Sequence, residues 1–147
     1  MRRALAGLLV LLIGIPQVTN AELTIEITGG NADAVSIAIA PFTWAGSGGT
    51  PPTADFARII SSDLKRSGRF NPTASMRQPG APDYSEPANL QDFRKAGIEY
   101  LVVGRLINRS GGYQAEFKLY NTADSQLLLN DAVTAPSKDQ RFAAHHI

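Results

Sequence analysis

Three consecutive runs in the second half of the chain constrain its fold more than any other feature. "IEYLVVGRLI" (98–107) is β-branched and almost continuously apolar, as a central strand is. "GYQAEFKLYN" (112–121) alternates, with Tyr113, Ala115, Phe117 and Leu119 inward and Gln114, Glu116 and Lys118 outward. "SQLLLNDAVTA" (125–135) is a third strand, and "RSGG" and "TADS" are hairpin turns between the three. Such a meander has one apolar face, which is stable only under a covering layer.

The first half of the chain can supply that layer. "AVSIAIAPF" (34–42) is a short apolar run ended by Pro41, consistent with a buried strand. Phe56, Ile59, Ile60 and Leu64 recur at i, i+3, i+4 and i+8, one face of a helix. Pro52 and Thr53 suit its start, and Gly68 suits a left-handed C-terminal cap. "RFNPTA" is a brief strand, followed by a proline-rich loop over 71–87. A shorter helix starts near Pro87, places Leu90 and Phe93 on one side, and stops at Gly97. The expected fold is α/β, a two-layer sandwich of a mixed sheet of about five strands with two helices on one face. A third helix, capped at Ser137, begins in "PSKDQRFAAHHI", and its unfinished pattern suggests a fragment of a longer protein.

The opening residues are read separately. "MRR", an apolar run from Ala4 to Ile15, and Thr19 and Ala21 before the cut describe a signal peptide cleaved between Ala21 and Glu22. A membrane anchor fits less well, since twelve residues of helix span about 18 Å of a roughly 30 Å hydrocarbon core. Cleavage removes Arg2 and Arg3 and leaves twelve basic against thirteen acidic residues, so the exported chain is near −1. No Lys/Arg cluster marks a nucleic-acid surface. The chain has no cysteine, which excludes disulfides, thiolate metal sites, cysteine nucleophiles and a lipidated N-terminal cysteine. The simplest localisation for an exported chain without staple or lipid is the periplasm.

Catalytic signatures are sparse. "AGSGGT" joins a strand to a helix, yet Pro51 stands where a dinucleotide loop needs its last glycine and no Gly-Lys-Ser/Thr follows. A flexible turn explains the same residues. His145 and His146 are the only histidines; neighbours on a helix point about 100° apart and cannot both face one metal. No nucleophile elbow is present. Neither an enzyme nor a cofactor is expected. Phe42 and Trp44 are either an exposed binding hot spot or, the simpler reading, a rim closing one end of the core. Asp63, Lys65 and Arg66 read as a solvated helix end.

The segment after the leader is the candidate binding element. In "ELTIEITGG", Leu23, Ile25 and Ile27 fall on one side and Glu22, Thr24, Glu26 and Thr28 on the other, a strand seeking an edge. Burying the three aliphatic side chains stabilises a complex by roughly 5–9 kcal/mol gross. Ordering the backbone of the strand costs on the order of 6–12 kcal/mol. Backbone hydrogen bonds from strand addition then decide a narrow balance, as in a reversible contact. "GGNADA" supplies a flexible tether.

With its leader, "AELTIEITGG", "IAIAPFTWAG", "ISSDLKRSGRFNP", "FRKAGIEYLVVGRL", "YQAEFKLYNT" and "RFAAHH" in this order, the chain resembles TolB proteins of the Tol-Pal system of Gram-negative envelopes. The resemblance covers essentially the whole chain and implies an α/β amino-terminal domain over 34–147. It places the family's β-propeller, and with it the contact to the lipoprotein Pal, outside these 147 residues. It implies a non-catalytic periplasmic role in outer-membrane integrity and constriction at division. It also implies that TolA binds the segment Glu22, Leu23, Thr24, Ile25, Glu26, Ile27, Thr28, Gly29, Gly30, Asn31, Ala32 and Asp33. The alternative is a stand-alone envelope assembly domain of the same fold, independent of Tol-Pal.

Overall fold

A computed structural model describes residues 34–46, 49–85 and 89–147. The leader and residues 22–33 therefore lie outside the described residues, as does Pro87. Six strands form one mixed sheet: β1 (Val35–Ile39), β2 (Thr43–Trp44), β3 (Phe70–Thr73), β4 (Tyr100–Arg109), β5 (Gly112–Asn121) and β6 (Gln126–Pro136). Their spatial order is β3-β1-β4-β5-β6, with β2 added alongside β4. The first part is parallel, β1 pairing with β3 through Val35–Phe70 and with β4 through Ile37–Tyr100. The second part is the antiparallel meander expected from the sequence, with Val102 opposite Leu119 and Ala115 opposite Val133. Gly111 (φ 79°) and Ser125 (φ 60°) make the two tight turns.

Helix α1 (Phe56–Arg66) starts later than Pro52 and Thr53 suggest. Asp55 is its N-cap, the carboxylate accepting from the Arg58 amide at 3.0 Å, an interaction stronger than the threonine could offer at a misplaced start. Gly68 (φ 72°) ends it as expected. Helix α2 (Leu90–Lys95) closes in a Schellman motif on Gly97 (φ 74°), the Gly97 amide donating to Arg94 and the Ile98 amide to Phe93. Helix α3 (Gln140–His145) begins at Asp139, two residues beyond Ser137, and the Asp139 side chain makes no capping bond.

The α/β class and the mixed sheet are as expected, and two helices do share a face, but the pair is α1 and α3. Phe56, Ile59 and Ile60 of α1 and Ala143 and Ala144 of α3 join Ile37, Ile39, Val102, Leu106 and Phe117 in the larger core. Helix α2 is on the other side, where Leu90 and Phe93 meet Ala38, Ala40, Leu101 and Val103. The alternation Ile37-Ala38-Ile39-Ala40 explains this: small alanines leave room for a short helix on the second face. Burying Phe56, Ile59 and Ile60 contributes roughly 5–9 kcal/mol gross, so α1 is the principal lid of the sheet.

Candidate functional site

The described chain starts at Ala34, one residue before β1. Both edges of β1 are occupied, by β3 and β4. Residues 22–33, the sequence-based binding segment, precede β1 in the chain and lie outside the described residues.

Beside that point lies an apolar groove of about 350 Å³ lined by Val35, Ile60, Leu64, Phe70, Leu129 and Ile147 among others. It lies on the α1 face, between the helix and the sheet. Its lining is aliphatic and aromatic because β1, β4 and β5 turn their alternate large residues to this side.

Helix α3 is held over one end of this face by polar bonds as well as by Ala143 and Ala144. The Gln140 side chain accepts from the amides of Thr53 and Ala54 at 3.1 and 3.2 Å. His145 Nδ1 donates to Asp63 Oδ2 at 2.5 Å, and Arg66 bonds the other carboxylate oxygen at 2.8 Å. The bond from His145 lowers the Asp63 pKa; the charges of His145 and Arg66 add to this, against a contrary effect of burial. The end of α1 is therefore not merely solvated: Asp63 connects it to α3 across 82 positions of sequence. His146 turns elsewhere, its Nδ1 donating to the Phe142 carbonyl at 2.8 Å and its ring stacking on Phe142 at 3.9 Å. The two histidines diverge, as their adjacency on a helix requires. Among the described residues no cluster of three His, Cys, Asp or Glu side chains is placed to hold a metal.

Phe42 and Trp44 are half-buried and pack against the larger core, which favours the rim reading. Phe42 stacks on Phe56 with centroids 5.7 Å apart, and Trp44 meets the edge of Tyr113 at 6.0 Å. Trp44 also belongs to β2, where it pairs with Leu106. No local pattern around residues 43 and 44 signals this two-residue strand.

A polar strap that sequence reasoning missed crosses the opposite face. Tyr84 is 9% exposed, with the Arg105 guanidinium 4.5 Å and the Lys118 ammonium 4.2 Å from its ring centroid. Its hydroxyl donates to Asn130 at 3.1 Å, and its carbonyl accepts from Lys118 at 3.0 Å. Arg105 and Glu116 pair at 2.7 Å beneath it. Burial pushes the Tyr84 hydroxyl pKa up, Glu116 adds to the rise, and Arg105 opposes it. Glu116 and Lys118 thus do point away from the larger core, but under a loop rather than into open water. The signal was the polar pair placed on a strand opposite Arg105; what it lacked was any hint of the covering tyrosine.

The TolB amino-terminal domain family matches residues 23–128. The chain belongs to that family. It is 36% identical over 146 residues to the Tol-Pal system protein TolB of Thioalkalivibrio sulfidiphilus, covering 99% of this chain and 33% of that one. It is 39% identical over 142 residues to TolB of Nitrosococcus oceani, covering 96% and 32%. The chain therefore spans about a third of the length of these relatives. The crystal structure of TolB from Acinetobacter baumannii superposes with a TM-score of 0.64 at 30% identity, covering 82% of this chain and 28% of that one. The C-terminal domain of LpoB from Salmonella enterica, at TM-score 0.52 and 8% identity over 71% of this chain and 84% of that one, shares the fold. These relatives bear the name of a Tol-Pal system protein. Among the described residues no helix is long and apolar enough to cross a membrane.

Proposed function

We propose that this chain is a periplasmic, non-catalytic interaction module of a Tol-Pal envelope system that binds TolA through residues 22–33. In this reading it supports outer-membrane integrity and constriction during division, after export and removal of residues 1–21. The observation that carries the reading is the family match, which begins at residue 23, inside the alternating segment rather than at the folded domain. The domain arrangement supports it. Both edges of β1 are filled, so in this reading the strand formed by Leu23, Ile25 and Ile27 is presented away from β1 and adds to an edge of the partner. Residues 34–147 then serve as the anchor from which the segment is presented. Pal binding, which the family resemblance assigns to a propeller, is not assigned to these 147 residues.

The test is capture of the exported chain by the periplasmic domain of TolA, with and without residues 22–33. Retention of the full chain and loss of the deletion variant supports the proposal. Equal retention of both places the contact on the folded domain and overturns it. Failure of both favours an envelope domain independent of Tol-Pal.

A further inference from the structure

The unpaired positive charge of the domain is gathered on one side. Arg66, Lys95 and Arg105 hold carboxylates, and Arg94, Arg109 and Lys118 hold carbonyl or amide oxygens. The other Lys and Arg among the described residues are Arg58, Lys65, Arg69, Arg77, Lys138 and Arg141. All are exposed, and none makes an ion pair, a side-chain hydrogen bond or a ring contact among the described residues. All but Arg69 line two adjoining clefts beside α1. One, of about 460 Å³, takes in Arg58, Lys65 and Arg77; the other, of about 760 Å³, takes in Arg58, Lys138 and Arg141. They meet at Asp55 and Arg58, which line both. The carboxylates in the two linings are Asp55, already engaged in capping α1, and Asp139. Arg58 stands in the first turn of α1, where a cation opposes the helix dipole, so its charge is not there to stabilise the helix. No run of sequence announces the cluster, because α1, the 3₁₀ turn Ser75–Arg77 and the start of α3 bring it together from three places.

We propose that the two clefts form one docking groove for an acidic polypeptide segment of another protein. Its carboxylates would meet the five cations, as Arg clusters receive acidic motifs. Charge complementarity names the class of partner: the chain has a formal net charge of only +1, so a local excess of unpaired cations is a field aimed at an anion. The polypeptide character follows from two apolar side chains on the same clefts, Met76 at 93% exposed and Phe142 at 51%. A small anion would leave both in water, whereas a segment alternating acidic and apolar residues covers them. A lipid surface offers both chemistries but is flat, and touches protrusions rather than clefts. The proposal does not rest on TolA binding by residues 22–33.

Fluorescence anisotropy tests it, using the chain purified after export and a labelled peptide in which Glu and Asp alternate with Leu. The peptide should bind at micromolar concentrations in low salt. Binding should weaken at least about tenfold in 1 M salt, where the screening length is about 3 Å. A peptide with Lys for every acid should not bind. Arg58→Glu and Arg77→Glu should together weaken binding at least about tenfold with an unchanged circular dichroism spectrum, since Glu suits the first turn of α1 and Arg77 is exposed. Arg69→Glu makes the same change in net charge as either single variant but lies outside the clefts, and should leave binding within about twofold. Failure of the acidic peptide to bind overturns the proposal. So does equal weakening by Arg69→Glu and Arg58→Glu, which reduces the effect to net charge. Binding that appears only after deletion of residues 22–33 gives the clefts to the chain's own acidic segment and also overturns it. Adsorption to phosphatidylglycerol vesicles that Arg58→Glu abolishes, without peptide binding, gives them to a lipid surface, with the same consequence.

Discussion

Gly104 sits in the middle of β4, buried, at the point where the Phe42 ring crosses the sheet. A Cβ added there would come within 2.2 Å of Phe42 Cε1 and 2.3 Å of Cζ, well inside van der Waals contact. In Gly104→Ala the ring must therefore leave. Its departure forfeits the stack on Phe56 at 5.7 Å, worth about 0.5–1.5 kcal/mol beyond area, and exposes part of an aromatic side chain at roughly 25 cal/mol per Å². Alanine recovers about 0.5–1 kcal/mol of strand preference over glycine. The balance is a loss of about 1–2 kcal/mol, within the range for overpacked cores, which for a domain of this size lowers Tm by roughly 4–10 °C. Thermal unfolding followed by circular dichroism measures it. The pair Phe42→Leu with Gly104→Ala should be less destabilised than the sum of the single variants, because the shorter side chain leaves room for the methyl group. An unchanged or raised Tm for Gly104→Ala, or strict additivity of the pair, would refute the claim that the glycine exists for the ring.

Thr122 is 3% exposed and donates to the Ile98 carbonyl at 2.6 Å; Thr122→Val should cost about 1–3 kcal/mol in urea unfolding by leaving that acceptor unpaired. Asp63→Asn should loosen α3, seen as faster amide exchange over 140–147 with little change in β4. Because the Asp63 pKa is lowered on folding, its stabilising effect is complete above the unfolded carboxylate value near 4 and lost as pH falls through the depressed folded value. The difference in exchange between wild type and Asp63→Asn should accordingly vanish in acid and persist at neutral pH, and a difference that instead grows in acid contradicts the assignment.

The meander was legible because its signals are local: β5 runs from Gly112 to Asn121, the span that strict alternation marked, and its turns carry residues able to take positive φ. Helix α1 was legible from one apolar stripe, but its start was not, because Asp55 competes with Pro52 and Thr53 through a single hydrogen bond. What sequence could not show depends on partners far along the chain. β2 exists only because Thr43 and Trp44 lie beside Arg105 and Leu106. The side chosen by α2 depends on the space over Ala38 and Ala40, and Asp63 looked solvated until α3 brought His145 to it. Of the candidate site, the alternation of residues 22–28 was plain in the sequence, whereas a receiving edge has no local signal, because pairing joins residues far apart in the chain or on different chains.

The measurement that bears most directly on the proposed function is the affinity of the exported chain for the periplasmic domain of TolA, compared between wild type and Ile25→Asp. The substitution puts a charge where an aliphatic side chain is to be buried, at several kcal/mol if it stays unpaired. The account predicts at least about a tenfold loss of binding, equivalent to 1.4 kcal/mol, with Tm essentially unchanged and Thr24→Ala much milder. Unfolding of the domain by Ile25→Asp, with TolA binding by the surviving folded fraction unaltered, would contradict it.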